Sequence, residues 1–240
     1  MNVIPVIDLK AGEVVHARRG ERHSYRPVVS QLCRGSRPHD IVAAFLDLYP
    51  FDRLYIADLD AIQGKGNNGT AVAALHEAFP QLELWVDSGL GDATACRAWL
   101  ARGLGHLVLG SEAIGEAHML HQLGDAIAAG RLVLSLDFRD DRFLGPPDLL
   151  AQVEAWPARV IVMTLSRVGS GSGPDFARLD EMARQARGRQ IFAAGGVRGG
   201  EDLLELARRG VSGVLVATAL HDRRIGRADI AAVATASASP

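Results

Sequence analysis

Residues 101–111, ARGLGHLVLGS, return as RRGVSGVLVAT at 208–218, a displacement of 107 positions. In each copy a glycine turn runs into an apolar strand that stops at a small or hydroxylated residue. The preceding turns keep the same displacement, with VDSGL at 86–90 matching AAGGV at 193–197. A spacing held through a strand, a helix and the next strand marks an internal duplication, so the second half of the chain repeats the first.

Outward from this pair, short β-branched runs alternate with longer segments whose apolar residues recur at i, i+3 and i+4, the βαβ pattern of a parallel sheet. Eight units are countable, with strands expected at VIPVI (3–7), RLYIA (53–57), LELWV (82–86), HLVL (106–109), LVLSL (132–136), RVIVM (159–163), QIFAA (190–194) and GVLVA (213–217). Helical stretches such as HDIVAAFLDLY, TAVAALHEAF, DFARLDEMARQA and EDLLELARR lie between them. Several strands are apolar throughout, as expected when both faces are covered. Eight βα units in two similar halves predict an α/β fold, a (β/α)8 barrel of two half-barrels forming one domain over residues 1–240. The last residues, ATASASP, read as a fraying tail.

Composition narrows the function classes. The chain has 240 residues, 48% hydrophobic and 22% charged, enough to bury a large core. A net charge of −2 supplies no field for a polyanion, and RRGERHSYR at 18–26 is only a local basic run, so nucleic acid is not an expected partner. The two cysteines, Cys33 and Cys96, have no ligand or framework spacing, which suits a cytoplasmic location. No basic leader or run of about 18 apolar residues is present, so neither secretion nor a membrane partner is expected. The eight histidines show no metal spacing, and His106 reads as packed. No metal or cofactor is predicted, and the oligomeric state is not legible.

In this fold the strand C-termini carry the chemistry. They supply Asp8, Asp58, Asp87, Gly110 with Ser111, Asp137, Thr164, Gly195 with Gly196, and Ala217 with Thr218. Asp8 ends the first strand and Asp137 the fifth, on opposite sides of an eightfold ring. Two carboxylates facing one pocket serve as base and acid when their environments separate their pKa values. Taken singly, each is also a common turn former. Gly195 and Gly196, between a strand and a helix start, present bare backbone to an anion, and Ala217 with Thr218 adds small residues and a hydroxyl where barrels often hold phosphate. Gly89, Gly110 and Ser111 would form the matching cradle of the first half. Arg198 stands beside the Gly-Gly turn. Arg18, Arg19, His23 and Arg26 lie in a long segment, about residues 18–36, that reads as a loop over the site or as a solvated one. Asp58 and Asp60 alternate, so one of them is expected to point inward.

These residues resemble the histidine-biosynthesis barrel family, which includes the phosphoribosylformimino-5-aminoimidazole carboxamide ribotide isomerase and the cyclase subunit of imidazole glycerol phosphate synthase. The likeness lies in IPVIDLKAGEVV (4–15), IADLDAIQGKGNN (56–68), LGSEA (109–113), SLDFRDDR (135–142) and AAGGVRGGEDLLELARRGVSGVLVATAL (193–220). VIDLK and SLDFR look more like the isomerase than the cyclase. The resemblance implies an Amadori rearrangement of a phosphorylated aminoaldose. Asp8 would take the proton from sugar C2, Asp137 would protonate the ring oxygen, and Thr164 would supply the hydroxyl of the sixth strand end. The chain also departs from the family. DSGLG (87–91) puts Asp87 where the isomerases have a glycine and Gly91 where they have an arginine, and LSRVGSGSGPD (165–175) replaces the usual Asp-Gly loop. The fifth loop lacks the family's Gly-Trp, and Ala217 stands where a glycine is common. A fixed anion at position 87 would repel a phosphate. The expected partner is therefore a small metabolite with one phosphate, held by the second half. The alternatives are a divergent lyase, cyclase or isomerase of tetrahydromethanopterin or methanofuran one-carbon metabolism, and a non-catalytic phosphometabolite-binding barrel.

Overall fold

The computed structural model describes residues 1–235. The expected tail ATASASP therefore falls, from residue 236 onward, outside the described residues.

Eight parallel strands form the barrel: β1 (Asn2–Lys10), β2 (Arg53–Asp58), β3 (Glu83–Asp87), β4 (His106–Gly110), β5 (Leu132–Arg139), β6 (Arg159–Thr164), β7 (Gln190–Ala194) and β8 (Gly213–Val216). Each pairs with its neighbours in chain order. The ring closes where β8 pairs with β1, from Asn2 beside Gly213 to Pro5 beside Val216. The duplication read from the sequence is present in the element bounds. The helix Ala93–Ala101 recurs 107 residues later as Gly200–Arg208, and Gly103 and Gly210, which turn these helices into β4 and β8, share a φ of +72°.

The expected strand positions hold, but β1 and β5 run further. Both continue past the barrel rim into antiparallel ribbons, β1 with Glu13–Val15 and β5 with Arg142–Phe143. The first ribbon turns at Ala11 and Gly12, whose φ values of +51° and +80° suit a two-residue hairpin. An alanine costs energy in that conformation. Here its N–H is met by Asp60 Oδ2 at 2.6 Å, and that of Gly12 by Asn68 Oδ1 at 2.9 Å. The helices after β4 and β5 are short pieces, Met119–Gln122, Gly124–Ala128 and Pro147–Ala151. No helix among the described residues is long and apolar enough to cross a membrane.

Period-two alternation along continuously apolar strands divides the core into two layers. One lies between the strands and the helices. The other fills the barrel itself with Ile4, Tyr55, Trp85, Val108, Val133, Ile161, Phe192 and Leu215. Trp85 is fully buried and meets Phe192 edge-on at 4.9 Å between ring centroids. Beneath them Glu83 receives Trp85 Nε1 at 2.6 Å and pairs with Arg53 and Arg159 at 3.3 and 3.2 Å, with His106 at 3.4 Å. Aromatic side chains and this charged group close the barrel from below, so the open space lies at the C-terminal end of the strands.

Truncating Trp85 leaves a cavity that rigid β-strands cannot collapse. Trp85→Ala is expected to lower stability by about 3–5 kcal/mol, read as a lower urea midpoint in equilibrium unfolding.

Candidate active site

Strand alternation decides which rim residues see the cavity, and register carries the uppermost inward layer round the ring. Asp8 stands beside Ala57 and Ala57 beside Asp87, while Asp137 stands beside Met163 and Met163 beside Ala194. All six line one cavity, which encloses about 1040 Å³ out to its open mouth. Asp8 and Asp137 thus face the same space from β1 and β5, four strands apart.

The two carboxyl groups have different surroundings. Asp137 Oδ1 accepts from Ser135 Oγ at 2.8 Å. Its Oδ2 lies 3.2 Å from Ser111 Oγ and 3.4 Å from the Glu112 N–H. Ser111 has one hydroxyl hydrogen, and the Leu144 carbonyl oxygen, 2.6 Å away, claims it. The serine oxygen then offers Asp137 Oδ2 a lone pair, which suits a protonated carboxyl. Asp8 is nine-tenths buried and has no hydrogen-bond donor for its carboxylate among the described residues. Burial pushes Asp8 up to about 7, with the Arg22 guanidinium pulling it down and Asp87 adding to the rise. Asp137 is likewise raised to about 7 by burial, against the Ser135 bond and with the help of Asp87.

Asp87 does point into the cavity. Its Oδ1 accepts from the Gly89 N–H at 2.9 Å, and its Oδ2 lies 3.4 Å from the Tyr55 hydroxyl. Burial raises it to about 6, offset by the Gly89 bond and reinforced by Glu112. Asp87 and Asp137 flank Gly110, where a methyl group would stand 3.5 and 3.3 Å from their Oδ2 atoms.

The segment after the first ribbon crosses the mouth and is pinned on the far side, where Arg19 N–H donates to the Val168 carbonyl at 2.8 Å. From it Tyr25 and Arg22 enter the cavity, and Arg22 pairs with Glu112. Arg18, Arg19, His23 and Arg26 remain exposed. The opposite wall is different in kind. Gly195, Gly196, Ala217 and Thr218 line the cavity with Arg224 at the rim. Gly195 and Gly196 have φ of +103° and +87°, and a Cβ on them would lie 2.6 Å from the Thr164 carbonyl oxygen and 2.2 Å from that of Gly173. Only glycine fits there, which leaves a wall of main chain. His16 Nε2 reaches Thr218 Oγ1 at 3.0 Å.

Several expected residues lie elsewhere. Asp58 accepts from the N–H groups of Ala61 and Asn68 and from Asn68 Nδ2, while Asp60 holds the ribbon turn; neither faces inward, because Ala57 takes that position. Thr164 is buried beside the cavity, one residue out of phase, and β6 presents Met163 instead. Gly89, Gly110 and Ser111, expected as a matching cradle, are not among the residues that line the cavity. The first packs against Ile62, the second separates two carboxyl groups and the third holds Asp137. Arg198 turns back to Asp202, with Nη2 2.6 Å from Oδ1. Arg22, Glu112, Tyr55 and Arg224 were not singled out from the sequence. Only Glu112 carried a local signal there, as the residue after the glycine-serine end of β4.

The class defined by this fold and mouth is a two-half (β/α)8 barrel with opposed carboxyl groups at the ends of β1 and β5. The chain belongs to the histidine biosynthesis protein family, whose model matches residues 2–226. It is 29% identical to an imidazole-4-carboxamide isomerase of Syntrophomonas wolfei, over 95% of this chain and 96% of that one. A protein of the same name from Erythrobacter litoralis is 30% identical, with 97% of each chain covered. An uncharacterized protein of Methanocaldococcus jannaschii is 28% identical over 92% of this chain and 93% of its own.

The raised value of Asp8 has a consequence for stability. Its protonated form favours the fold, a contribution complete below the ordinary carboxylate value of about 4 and lost as pH rises through about 7. Asn mimics the neutral form. Asp8→Asn is therefore expected to raise Tm at pH 8 by a few degrees, at about 2–4 °C per kcal/mol, with the gain shrinking toward pH 5 in thermal scans.

Proposed function

We propose that this protein is an aldose–ketose isomerase that carries out an Amadori-type rearrangement on an aminoaldose bearing one phosphate. The observation that carries this reading is the pair Asp8 and Asp137, buried on opposing strands of one cavity with raised pKa values. Asp137, with Ser111 poised to accept from its proton-bearing oxygen, is the acid. It protonates the ring oxygen as the bond from C1 to that oxygen breaks and the substrate nitrogen forms a C1 iminium. Asp8, with the Arg22 charge nearby, is the base and removes the C2 proton. The electrons return to nitrogen to give an enol, which becomes the C2 ketone as C1 takes a proton from Asp8 and the C2 hydroxyl gives up its own, a proton returning to Asp137. A hydrogen has moved from C2 to C1 and no electrons have left the molecule.

The phosphate is assigned to the wall formed by Gly195, Gly196, Ala217 and Thr218, where main chain, a hydroxyl and the Arg224 rim suit an oxyanion. The curated isomerase relatives carry two phosphoribosyl groups in the names of their substrates. The half of this cavity that would face a second phosphate instead carries Asp87 and Glu112. That difference favours a divergent member acting outside the histidine pathway, with one-carbon cofactor metabolism as the setting its resemblance implies. Expression in a histidine auxotroph lacking the isomerase is then expected not to restore growth.

A panel of N-substituted ribosylamine phosphates in deuterium oxide tests the chemistry, because the proton taken from C2 can exchange on the Asp8 carboxyl before C1 is protonated, so deuterium enters at C1 of the ketose and NMR reads it. Asp8→Asn and Asp137→Asn should each slow it by about 10²–10⁴-fold. For the wild type, kcat/KM should be bell-shaped with a maximum near pH 7, since activity needs one carboxyl ionised and the other protonated. Unchanged turnover in either variant would sink the acid and base assignment.

A further inference from the structure

We infer that the end of the substrate remote from its phosphate is a nitrogen group rich in N–H donors, a protonated amine or amidine, and that Asp87 is the residue that selects it. This rests on the one-phosphate reading above and adds the chemistry of the other end.

The cavity is electrostatically lopsided. Around the ends of β1, β3, β4 and β5 it is lined by Asp8, Asp87, Glu112 and Asp137, and Arg22 is the cation among them. The guanidinium of Arg22 is engaged with Glu112, which leaves Asp8, Asp87 and Asp137 facing the space without a salt-bridge partner among the described residues. Across the mouth the wall of Gly195, Gly196, Ala217 and Thr218 carries no acid.

Acidic residues near one another would not alone define a ligand, but their hydrogen bonding adds an independent observation. The Asp8 carboxylate, in a residue nine-tenths buried and lining the cavity, accepts nothing among the described residues. Asp87 is only partly met. One oxygen takes the Gly89 N–H, and the other has only the Tyr55 hydroxyl at 3.4 Å. Asp8 is buried and Asp87 half-buried; acceptors left incomplete on a cavity wall are completed by a ligand or by water, and the ligand that completes them best brings hydrogens and positive charge. A phosphate brings neither. It would also raise the proton affinity of the base on Asp8, whereas a cationic nitrogen near Asp87 would lower it.

Asp87 is assigned the selecting role because its position separates the two tasks. It is two strands from Asp8, with Ala57 between them, and shares the Gly110 gap with Asp137, so a group touching it lies beside the reacting carbons without displacing either catalytic carboxyl.

The test uses three compounds that differ only at the far end: aminopentyl phosphate, hydroxypentyl phosphate and pentanediyl bisphosphate. Each is titrated calorimetrically against the full chain at neutral pH. The amine is expected to bind about tenfold tighter than the alcohol, the factor that about 1.4 kcal/mol corresponds to, with the bisphosphate weakest. Asp87→Asn should narrow the ratio of amine to alcohol to within about twofold; the wild-type ranking stands as a test without any variant. Equal binding of amine and alcohol overturns this inference and leaves the phosphate seat standing. A bisphosphate that binds best overturns both this inference and the one-phosphate reading. Silence of all three, and of inorganic phosphate, removes the seat and the proposed function with it.

Discussion

Closure of the sheet between β8 and β1 is the constraint on which everything else depends. Without the pairing that runs from Asn2 beside Gly213 to Pro5 beside Val216, the eight strands would be an open sheet with two unpaired edges, and β1 and β5 would not face each other. Closure converts distance along the chain into opposition across a cavity, bringing together carboxyl groups from positions 8 and 137. It also fixes the interior volume, and Trp85, Phe192 and their neighbours fill the lower part. Glu83 with its cationic partners caps the same end. The barrel is therefore solid below and hollow above, and the polar inward residues of the top layer meet in that hollow.

Much of this was legible in the sequence because two regular signals reinforced each other. Alternation of apolar runs with helical periodicity located eight strands to within a few residues, and the 107-residue displacement showed that they belong to two equivalent halves. Asp8, Asp87 and Asp137, together with the glycines at 195 and 196, could be placed at strand ends on that basis alone. Inward phase was harder. Thr164 and Met163 are adjacent, and a shift of one residue exchanges the face of the barrel that each serves. Asp58 looked like a candidate for the same reason, yet its carboxylate is consumed by the N–H groups of the loop that follows it. Arg22 was unreadable for a different reason. It sits in a run of basic residues on a segment without period, and only the path of that segment over the mouth separates it from its exposed neighbours.

The two halves of the barrel show how a duplicated scaffold diverges. Both keep the helix, the glycine turn and the strand at matching positions, so the folding information has been retained. At the rim the copies differ by charge. Where the second half has main chain and Thr218, the first half has Asp87 and Glu112, and its Ser111 is committed to Asp137. Backbone requirements and ligand requirements have thus been separated. Glycines such as Gly103 and Gly210 persist because the turn demands them, while the side chains at the rim differ in charge between the halves.

The segment pinned to Val168 does two things at the mouth, roofing the cavity and bringing a charge to it. Arg22 travels with that segment, and it is the positive charge that draws the Asp8 value down. The same segment helps to keep water from Asp8, and burial is the larger influence, pushing the value up. Cover and counter-charge therefore act on one carboxyl group in opposite senses, so the acidity of a strand residue is set from a loop that lies outside the repeating pattern of the barrel.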